Sequence, residues 1–585
     1  MINKIKLYLD TLKRLHLKQS IFLIREKILK KVIPLKISSL NEIKSNLDID
    51  KQVVNLEKNL NRLRFGDRKK SIWDLGISQN DFKHYYHSFV YDKLQEYKLT
   101  EDSDILNKLW ETTHDDIEFI YNLQRMYKFS EAMNSLEFND IQKLSVIRFW
   151  IEKFPPQKGV SWMGFNCSIR LINWVKILAG LETFETVDKE YIRIISLSML
   201  QNIEFIEKNI EHHIPGNHVI FQYFALWLVT FLFEDERKEK FARIFEKEFI
   251  TEFHESGLHF ELSTHYHLQV LQLGVYYLLI NYENNHVPKL FFDKIKKAFY
   301  VLDAFSFKQN NLPLIGDNCY NFFHNNLVED SENLNYLRKL LEIDESKESD
   351  ITEIKNEYLI AEKNKFKVIF DVGNIGMPQN PGHGHSDILS INFSYDGVPI
   401  FVDPGTRRYS NLPENLNLKR TFSHNTVSIN GEDQAKLWGF FRWAFLPRPN
   451  VYHYYKKENS VTLEGNLNGF KNIGGAVHTR KIILNNQSLV IYDEIVCKVL
   501  KRIEQNFILS EQINVNQNNG KYYLTTDDHK FEFIIKTDES YKVEIVPQKI
   551  YKSYDNPENS EKIRIVYNTS STKFETKIVL VLVNE

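Results

Sequence analysis

The sequence predicts a multidomain α+β protein in which an α-helical half precedes a β-rich half. From about residue 80 to 345, apolar residues recur at the spacing of amphipathic helices. From about residue 366 onward, short runs alternate between apolar and polar residues and stop at turn residues, which is typical of antiparallel strands. An acidic, polar stretch near residues 342–357 separates the two halves and is predicted to be a linker.

The helical half is predicted to form a toroid or a solenoid. Short breakers such as Pro155-Pro156 and Pro215-Gly216 separate its helices, so neighbouring helices pack as antiparallel hairpins. The helices are too many for a single bundle, and the lack of a clean sequence repeat disfavours a regular repeat protein. The predicted helices lie near 81–98, 101–111, 115–133, 138–153, 164–182, 187–210, 217–233, 236–250, 265–283 and 290–308.

The β-rich half is predicted to be an antiparallel sandwich with many strands. Turn signals such as Asp396-Gly397 and Asn430-Gly431 separate its strands. A crevice between a helical and a β domain is a favoured place for a binding site. The predicted strands lie near 366–371, 388–395, 398–402, 425–429, 460–465, 475–485, 488–493, 503–509, 521–524, 530–535, 541–546, 562–568 and 574–583.

Four segments follow from these patterns. They are a helical arm over 1–66, the toroid over 67–345, a linker over 346–365 and the sandwich over 366–585. Apolar residues and scattered lysines and arginines in the arm predict a basic amphipathic helix near the N-terminus. Docking of this helix on the protein's own body is the favoured interpretation, and contact with a membrane surface is the alternative.

The composition narrows the class of partner. The chain of 585 residues has a formal net charge of −2, so its overall charge does not point to nucleic acid. Its three cysteines form neither a disulfide framework nor a cysteine-based metal motif. The N-terminus lacks the pattern of a secretory signal, which favours a cytoplasmic location, with a periplasmic or envelope-associated one as the alternative. The most apolar run, 219–233, is too short to cross a bilayer, so no transmembrane segment is expected, and the oligomeric state stays open.

Histidines and carboxylates cluster at the start of the β-rich half. His383 and His385 lie one residue apart between glycines, Asp403 ends the return strand of the predicted hairpin, and His424 lies in another strand-like segment. Imidazole and carboxylate groups on strands of one sheet suit a zinc-like ion. In the alternative, the histidines only hydrogen-bond the backbone and Asp403 caps a turn. A two-residue hairpin loop places Asp403 opposite Ser390, so a metal site requires the preceding segment to curl back.

Two spots in the helical half carry polar residues that suit chemistry. Asn217 and His218 open a very apolar helix after Pro215-Gly216, and an N-cap role is the alternative explanation of Asn217. Tyr266 lies in the first turn of another predicted helix, between two histidines and near a carboxylate. A core tyrosine with a satisfied hydroxyl is the alternative there.

Taken in order, these motifs resemble the heparinase II/III-like polysaccharide lyases, including alginate lyase-like members. The motifs are Asn-His at 217–218, Ser-x-x-Tyr-His at 263–267, His-x-His-x-Asp at 383–387, Val-Asp-x-Gly at 402–405 and His-Asn-Thr at 424–426. The resemblance covers about residues 80–560 and implies an N-terminal (α/α) toroid followed by a C-terminal antiparallel β-sandwich. Similar chains without a secretory signal accompany bacterial capsule and O-antigen synthesis genes.

The resemblance also implies roles for single residues. Asn217 and His218 match the residues that neutralise a uronate carboxylate. Tyr266 matches a catalytic acid, which for some substrates is also the base, and His383 matches the catalytic histidine across the cleft. The other matches are a structural metal triad, for zinc or another divalent ion, and two residues that line the cleft: His385, Asp403 and His424, then Tyr409 and Arg420.

The predicted function is cleavage of a uronic-acid-containing glycan by β-elimination, with an acidic polysaccharide or oligosaccharide as the partner. The alternative is a non-catalytic protein that binds glycans or assists assembly in bacterial surface-polysaccharide synthesis. A glycoside hydrolase is least favoured because it needs two carboxylates facing each other across the cleft. The motifs offer amide, imidazole and phenol groups instead.

Overall fold

The computed structural model describes residues 7, 10–25, 37–65, 70–71, 85–156, 159–184, 187–281, 287–307, 311–319, 337–339, 341–342, 352–354 and 357–583. Helices dominate the first half of the chain, as predicted. They are α1 (Leu17–Ile24), α2 (Leu40–Asn46), α3 (Ile49–Arg62), α4 (Tyr85–Thr100), α5 (Ser103–Trp110), α6 (Ile117–Gln124), α7 (Phe129–Ser135), α8 (Asp140–Lys153), α9 (Gly164–Ala179), α10 (Lys189–Lys208), α11 (Asn217–Leu232), α12 (Lys238–Glu252), α13 (Thr264–Asn281) and α14 (Lys289–Phe305), with the short α15 (Pro413–Leu418) in the second half.

The single helix predicted over 115–133 is wrong, because two helices, α6 and α7, occupy that stretch. Between them Met126 and Lys128 have φ values of 51° and 64°, a left-handed conformation that ends an α-helix. The break buries Arg125, which donates from Nε to the Asn166 Oδ1 at 2.7 Å and also pairs with Glu118.

Helix α3 packs on the helical body, although the sequence placed it in an arm. Leu56, Leu60 and Leu63 are fully buried, on the spacing of one helical face. Asn59 is also buried, and its side-chain amide donates to the carbonyl oxygen of Leu232 at 3.1 Å. The core of the helical half therefore begins before residue 67, where the predicted toroid starts.

Strands dominate the second half, and most predicted strands are present. The strands are β1 (Arg64–Phe65), β2 (Lys70–Ser71), β3 (Glu353–Ile354), β4 (Tyr358–Lys363), β5 (Phe366–Asp371), β6 (Ile391–Tyr395), β7 (Val398–Phe401), β8 (Val427–Ile429), β9 (Lys436–Gly439), β10 (Arg442–Phe445), β11 (Arg448–Lys457), β12 (Ser460–Gly469), β13 (Ala476–Asn485), β14 (Ser488–Cys497), β15 (Arg502–Ile508), β16 (Asn514–Asn518), β17 (Lys521–Thr525), β18 (Lys530–Lys536), β19 (Tyr541–Ser553), β20 (Asn556–Asn568) and β21 (Lys573–Leu582).

Three larger antiparallel sheets and the two-stranded β9–β10 sheet form the described β half. An eight-stranded sheet has the order β11-β12-β13-β14-β21-β18-β17-β16, a four-stranded sheet the order β19-β20-β15-β8, and a five-stranded sheet the order β3-β4-β5-β6-β7. The predicted hairpin at Asp396-Gly397 is confirmed, since Tyr395 pairs with Val398. Inward-facing apolar residues of these sheets form one core, which includes Leu463, Ile491 and Phe507.

The linker predicted over 346–365 needs correction. Strand β4 lies within it and pairs with β5 along its whole length, from Tyr358 opposite Asp371 to Lys363 opposite Phe366. The sheet therefore begins several residues before 366. Residues 346–351 and 355–356 of the predicted linker lie outside the described residues.

Side chains from both halves meet at a shared junction. The rings of Phe305 and Tyr358 pack edge to face at 5.1 Å, and Lys367 Nζ donates to the carbonyl oxygen of Ser306 at 2.8 Å. The hydroxyl of Tyr554 donates to Asp116 Oδ2 at 2.8 Å. Within the described part of the chain, every helix is too short or too polar to cross a membrane.

Candidate active site

A sharp turn at the start of α11 places Asn217 at the junction. Gly216 precedes the helix with φ of 107°, and a Cβ there would lie 1.8 Å from Glu261 Oε1, so only glycine allows this close approach. The backbone N–H of Asn217 donates to the same oxygen at 2.8 Å. The N-cap explanation of Asn217 is wrong, because Gly216 holds the cap position and Asn217 is the first helical residue.

His218 follows on α11 and is held by two neighbours. Its Nδ1 lies 2.9 Å from Glu211 Oε2, and its ring stacks on Phe165 with ring centroids 4.1 Å apart. A carboxylate only accepts hydrogen bonds, so Nδ1 carries the hydrogen whenever Glu211 is ionised. His218 is partly exposed, so its other nitrogen can reach a ligand in the junction.

Glu261 links the two sides of the junction, although no role was predicted for it. Its carboxyl group is buried, and Oε2 lies 3.8 Å from His383 Nε2 without a hydrogen-bond partner. Burial raises the pKa of Glu261, while His383 and the Asn217 amide oppose part of that rise. The Glu261 carboxyl group thus lies between the backbone of Asn217 and the ring of His383.

Tyr266 lies in the first turn of α13, as predicted, with its hydroxyl at the junction. That hydroxyl is 2.9 Å from the hydroxyl of Tyr409, a residue of the β half. Its ring centroid is 4.0 Å from that of His383. Burial, with the nearby charge of Asp317, raises the pKa of Tyr266 well above its usual value, so the phenol is protonated at neutral pH.

Asp317 orients His383, and sequence reasoning did not find it. His383 Nδ1 lies 3.0 Å from Asp317 Oδ2, and the buried Lys419 Nζ donates to the same oxygen at 3.0 Å. Burial would raise the pKa of Asp317, but Lys419 and hydrogen bonds from His383 and His385 hold that pKa below its usual range. Asp317 is therefore ionised and accepts the Nδ1 hydrogen, which leaves the lone pair of His383 on Nε2.

A second group of titratable side chains lies behind His383. One ligand atom from each of His385, Asp387 and His424 lies within 4.8 Å of the others, and all three residues are buried. Asp403 contacts His424 instead, with Oδ2 2.9 Å from Nδ1. The structure thus brings Asp387 into the place for which the sequence proposed Asp403.

The free nitrogens of this group fit a metal ion. His385 Nε2 lies 3.0 Å from Asp317 Oδ1, which leaves His385 Nδ1 buried without a partner. His424 donates from Nδ1 to Asp403, which leaves its Nε2 buried without a partner. Two unpartnered imidazole nitrogens beside a carboxylate are the donor set that zinc prefers, and Asp403 would fix the His424 ring as an outer carboxylate does.

These groups lie on loops, and the prediction that they lie on strands is wrong. His385 precedes β6 in a loop, and His424 follows a 3-10 helix at Thr421–Ser423. The curl expected before β6 is present, because Leu389 has φ of 63° and its N–H donates back to Asp371. Loops at strand ends can turn several side chains toward one point, which a straight strand cannot do.

The two residues expected to line the cleft differ in position. Tyr409 joins the site through Tyr266, and its ring packs 5.4 Å from the exposed ring of Phe441. Arg420 contacts Asp433, with Nε 2.8 Å from Oδ2, and lies over the Phe422 ring at 5.1 Å. Within the described part of the chain, Arg420 therefore contacts Asp433 and Phe422 and none of the four catalytic candidates.

Comparison with known families covers most of the chain. The heparinase II/III N-terminal model matches residues 45–335, and the heparinase II/III-like C-terminal model matches residues 355–579. No curated protein matches the chain.

Solved structures share the architecture at low sequence identity. A heparinase III structure has a TM-score of 0.65 and 15% identity, covering 94% of this chain and 93% of its own. The heparan sulfate lyase HepC from Pedobacter heparinus has a TM-score of 0.58 and 12% identity, covering 91% of this chain and 88% of its own. Similarity at this low sequence identity is evidence for the fold alone. The shared fold confirms the predicted toroid and β-sandwich.

Proposed function

The chain belongs to the heparinase II/III-like family, and we propose that this polysaccharide lyase cleaves a uronate-containing glycan by β-elimination. One observation carries the proposal. A protonated phenol, Tyr266, and an imidazole with a free Nε2, His383, lie ring against ring at the junction of the two halves. Such a pair suits a reaction that takes one proton and gives one back.

The first task of the site is to acidify the C5 proton of a uronic acid. A charged carboxylate beside C5 opposes proton removal, because a second negative charge then develops on the same group. We assign neutralisation of the uronate to the Asn217 side-chain amide and to His218 as an imidazolium, which donates from Nδ1 to Glu211 and from Nε2 to the uronate. Donors placed where charge develops lower the barrier more than equal binding of substrate and transition state would.

The second task is proton transfer. His383 Nε2 accepts the C5 proton, because Asp317 holds the hydrogen on Nδ1 and stabilises the imidazolium that forms. Tyr266 gives its proton to the O4 leaving group, and the Tyr409 hydroxyl hydrogen-bonds the resulting phenolate. A protonated Tyr266 cannot also accept the C5 proton, so His383 is the base in this proposal. The C4–O4 bond breaks as the C4–C5 double bond forms, and no water is added.

The test compares product formation by the wild type and two tyrosine variants. Purified protein is incubated with a panel of uronate glycans, and the ultraviolet absorbance of the unsaturated product is followed. We expect Tyr266→Phe to abolish the rise. Tyr277→Phe is the matched control, since Tyr277 is a buried tyrosine of α13 whose hydroxyl donates to Glu246 at 2.6 Å. A flat wild-type trace with measurable glycan binding would favour a non-catalytic binding or assembly role instead.

The metal proposal concerns His385, Asp387 and His424 as ligands, with Asp403 behind His424. Zinc or another divalent ion would fix the loop that carries His383, so the ion's role is structural. Elemental analysis of purified protein should find one equivalent, and Asp387→Asn should lose it. Asp403→Asn should keep the ion with about 10–100-fold weaker affinity.

Two further measurements secure that test. Asp433→Asn is the control carboxylate variant, because Asp433 pairs with Arg420 outside the group. Loss of the ion should also lower the melting temperature of the wild type, since a ligand bound only by the folded state stabilises it. A folded wild type that retains no stoichiometric metal after reconstitution would contradict the metal proposal.

A further inference from the structure

Helix α1 has one face against the protein and one face in solvent. On the inner face Gln19 is buried, and the ring of Phe22 packs 4.6 Å from that of His212. On the outer face Leu17, Ile21 and Ile24 are 77%, 56% and 54% exposed. Their spacing of four and three residues puts them on one stripe of the helix. Docking of α1 on the protein's own body therefore uses only one face.

The segment that carries this stripe is held in place on both sides. Before the helix, the hydroxyl of Thr11 donates to the carbonyl oxygen of Trp443 at 3.0 Å and accepts from Trp438 Nε1 at 3.3 Å. After it, Arg25 donates to the carbonyl oxygen of Lys208 at 3.2 Å. The stripe is thus a fixed part of the surface. It lies near the β9–β10 hairpin and the segment that leads to Asn217.

The charges around the stripe favour an anionic partner. The exposed Arg25 contacts a carbonyl oxygen and the Phe22 ring, and no carboxylate of the described part of the chain forms an ion pair with it. Lys13, Lys208 and Lys240 are also exposed, but each is paired with a carboxylate, namely Asp10, Glu204 and Glu207. Arg25 therefore supplies a positive charge beside the stripe that is open to an anionic partner.

The dimensions of the stripe disfavour a second copy of the chain as its cover. A stable protein interface buries about 800 Å² on each partner, far more than three side chains supply. A bilayer surface needs no matching shape, because apolar side chains enter the acyl boundary while cations stay at the headgroups.

We propose that α1 docks this protein on an anionic membrane surface, with Leu17, Ile21 and Ile24 inserted at the interface and Arg25 among the headgroups. Acidic phospholipids complement the charge of Arg25, so the attraction weakens as salt rises. A single short helix gives reversible binding and does not span the bilayer.

The first experiment is co-sedimentation of the full chain with lipid vesicles. We expect binding to phosphatidylglycerol vesicles and at least ten-fold weaker binding to phosphatidylcholine vesicles. The triple variant Leu17→Ser, Ile21→Ser, Ile24→Ser should bind phosphatidylglycerol at least ten-fold less. The matched control changes three comparably exposed residues on other helices to serine, and it should bind as the wild type does: Val54, Leu99 and Leu290.

A second experiment reads contact directly and does not depend on the triple variant. Ile21→Cys is labelled with an environment-sensitive fluorophore, which is selective because the native cysteines are buried. We expect a blue shift of emission on addition of phosphatidylglycerol vesicles and none for a label at Leu99→Cys. Equal shifts at both positions, or no shift at Ile21, would overturn the proposal. So would a concentration-dependent dimer in sedimentation equilibrium that the triple variant abolishes. None of these outcomes depends on lyase activity.

Discussion

Asp317 and Asp493 are both fully buried carboxylates that hold histidines, but they lie in different parts of the molecule. Asp493, within the sandwich, accepts from His478 Nε2 at 2.7 Å and from Arg480 Nε at 2.8 Å. Asp317, at the junction, accepts from His383 and His385 and from Lys419. Burial opposes ionisation in both cases, and neighbouring cations and hydrogen bonds hold both pKa values below the usual range.

The two carboxylates differ in whether their histidine partners can contact a ligand. His478 is fully buried inside the sandwich. His383 is partly exposed and faces Tyr266 across the junction. A strongly perturbed pKa therefore does not by itself mark a functional carboxylate, because structural ion-pair networks shift pKa values too. Asp317 differs from Asp493 in two respects. It lies where the two halves of the molecule meet, and its partner His383 is exposed to a ligand there.

The largest expected effect comes from comparing Asp317→Asn with Asp493→Asn. Asp317→Asn should lower kcat about 10²–10⁴-fold, because an amide no longer fixes the hydrogen on His383 Nδ1 or stabilises its charged form. Asp493→Asn should leave the kcat of the folded protein close to that of the wild type. Equal losses in the two variants, measured per folded molecule, would remove the functional distinction.

The two variants should be alike in stability. Removing one partner of a buried ion pair costs about 3–5 kcal/mol, since the remaining cation is left without its counter-charge. Urea unfolding should therefore show a loss of this order for Asp493→Asn, and a similar one for Asp317→Asn. A neutral effect of Asp493→Asn would mean that the Arg480 guanidinium is satisfied by its bonds to the carbonyl oxygens of Leu389 and Asn425.

The smallest expected effect is on the free energy of unfolding at acid pH. Because its folded-state pKa is lowered, Asp493 contributes stability that is complete above the unfolded-state pKa of about 3.9. That contribution is lost as the pH falls below this value toward the folded-state pKa. Below about pH 4, the free energy of unfolding should therefore fall more steeply in the wild type than in Asp493→Asn. Identical slopes would show that other groups carry the acid sensitivity.

Much of the fold follows from local pattern. Helices α11 and α13 are apolar runs with clear breakers before them, and the β6–β7 hairpin carries its turn in Asp396-Gly397. The break between α6 and α7 did not follow, because ordinary residues, Met126 and Lys128, adopt positive φ there. Tertiary packing imposes these positive φ angles, and the residue types at the two positions do not predict them.

The candidate site also contains residues that local sequence motifs predict and residues that they do not predict. Histidines near glycines and a tyrosine at a helix start have local motifs, so the sequence alone could nominate Tyr266 and His383 as candidates. Asp317 was missed because its partners lie 66 and 102 residues further along the chain, at His383 and Lys419. Only a carboxylate after an apolar run and a glycine marked it in the sequence. Asp387 was inside a quoted motif, but nothing local ranked it above Asp403 as a ligand.

The most direct test of β-elimination is the mass of the products formed in water labelled with heavy oxygen. Elimination adds no water, so the masses of the two fragments sum to that of the substrate, and neither fragment carries the label from bond cleavage. We predict this result for the wild type on any glycan that it cleaves. A pair of fragments that together gain one labelled water would show hydrolysis and contradict the assignment of His383 and Tyr266 to proton removal and return.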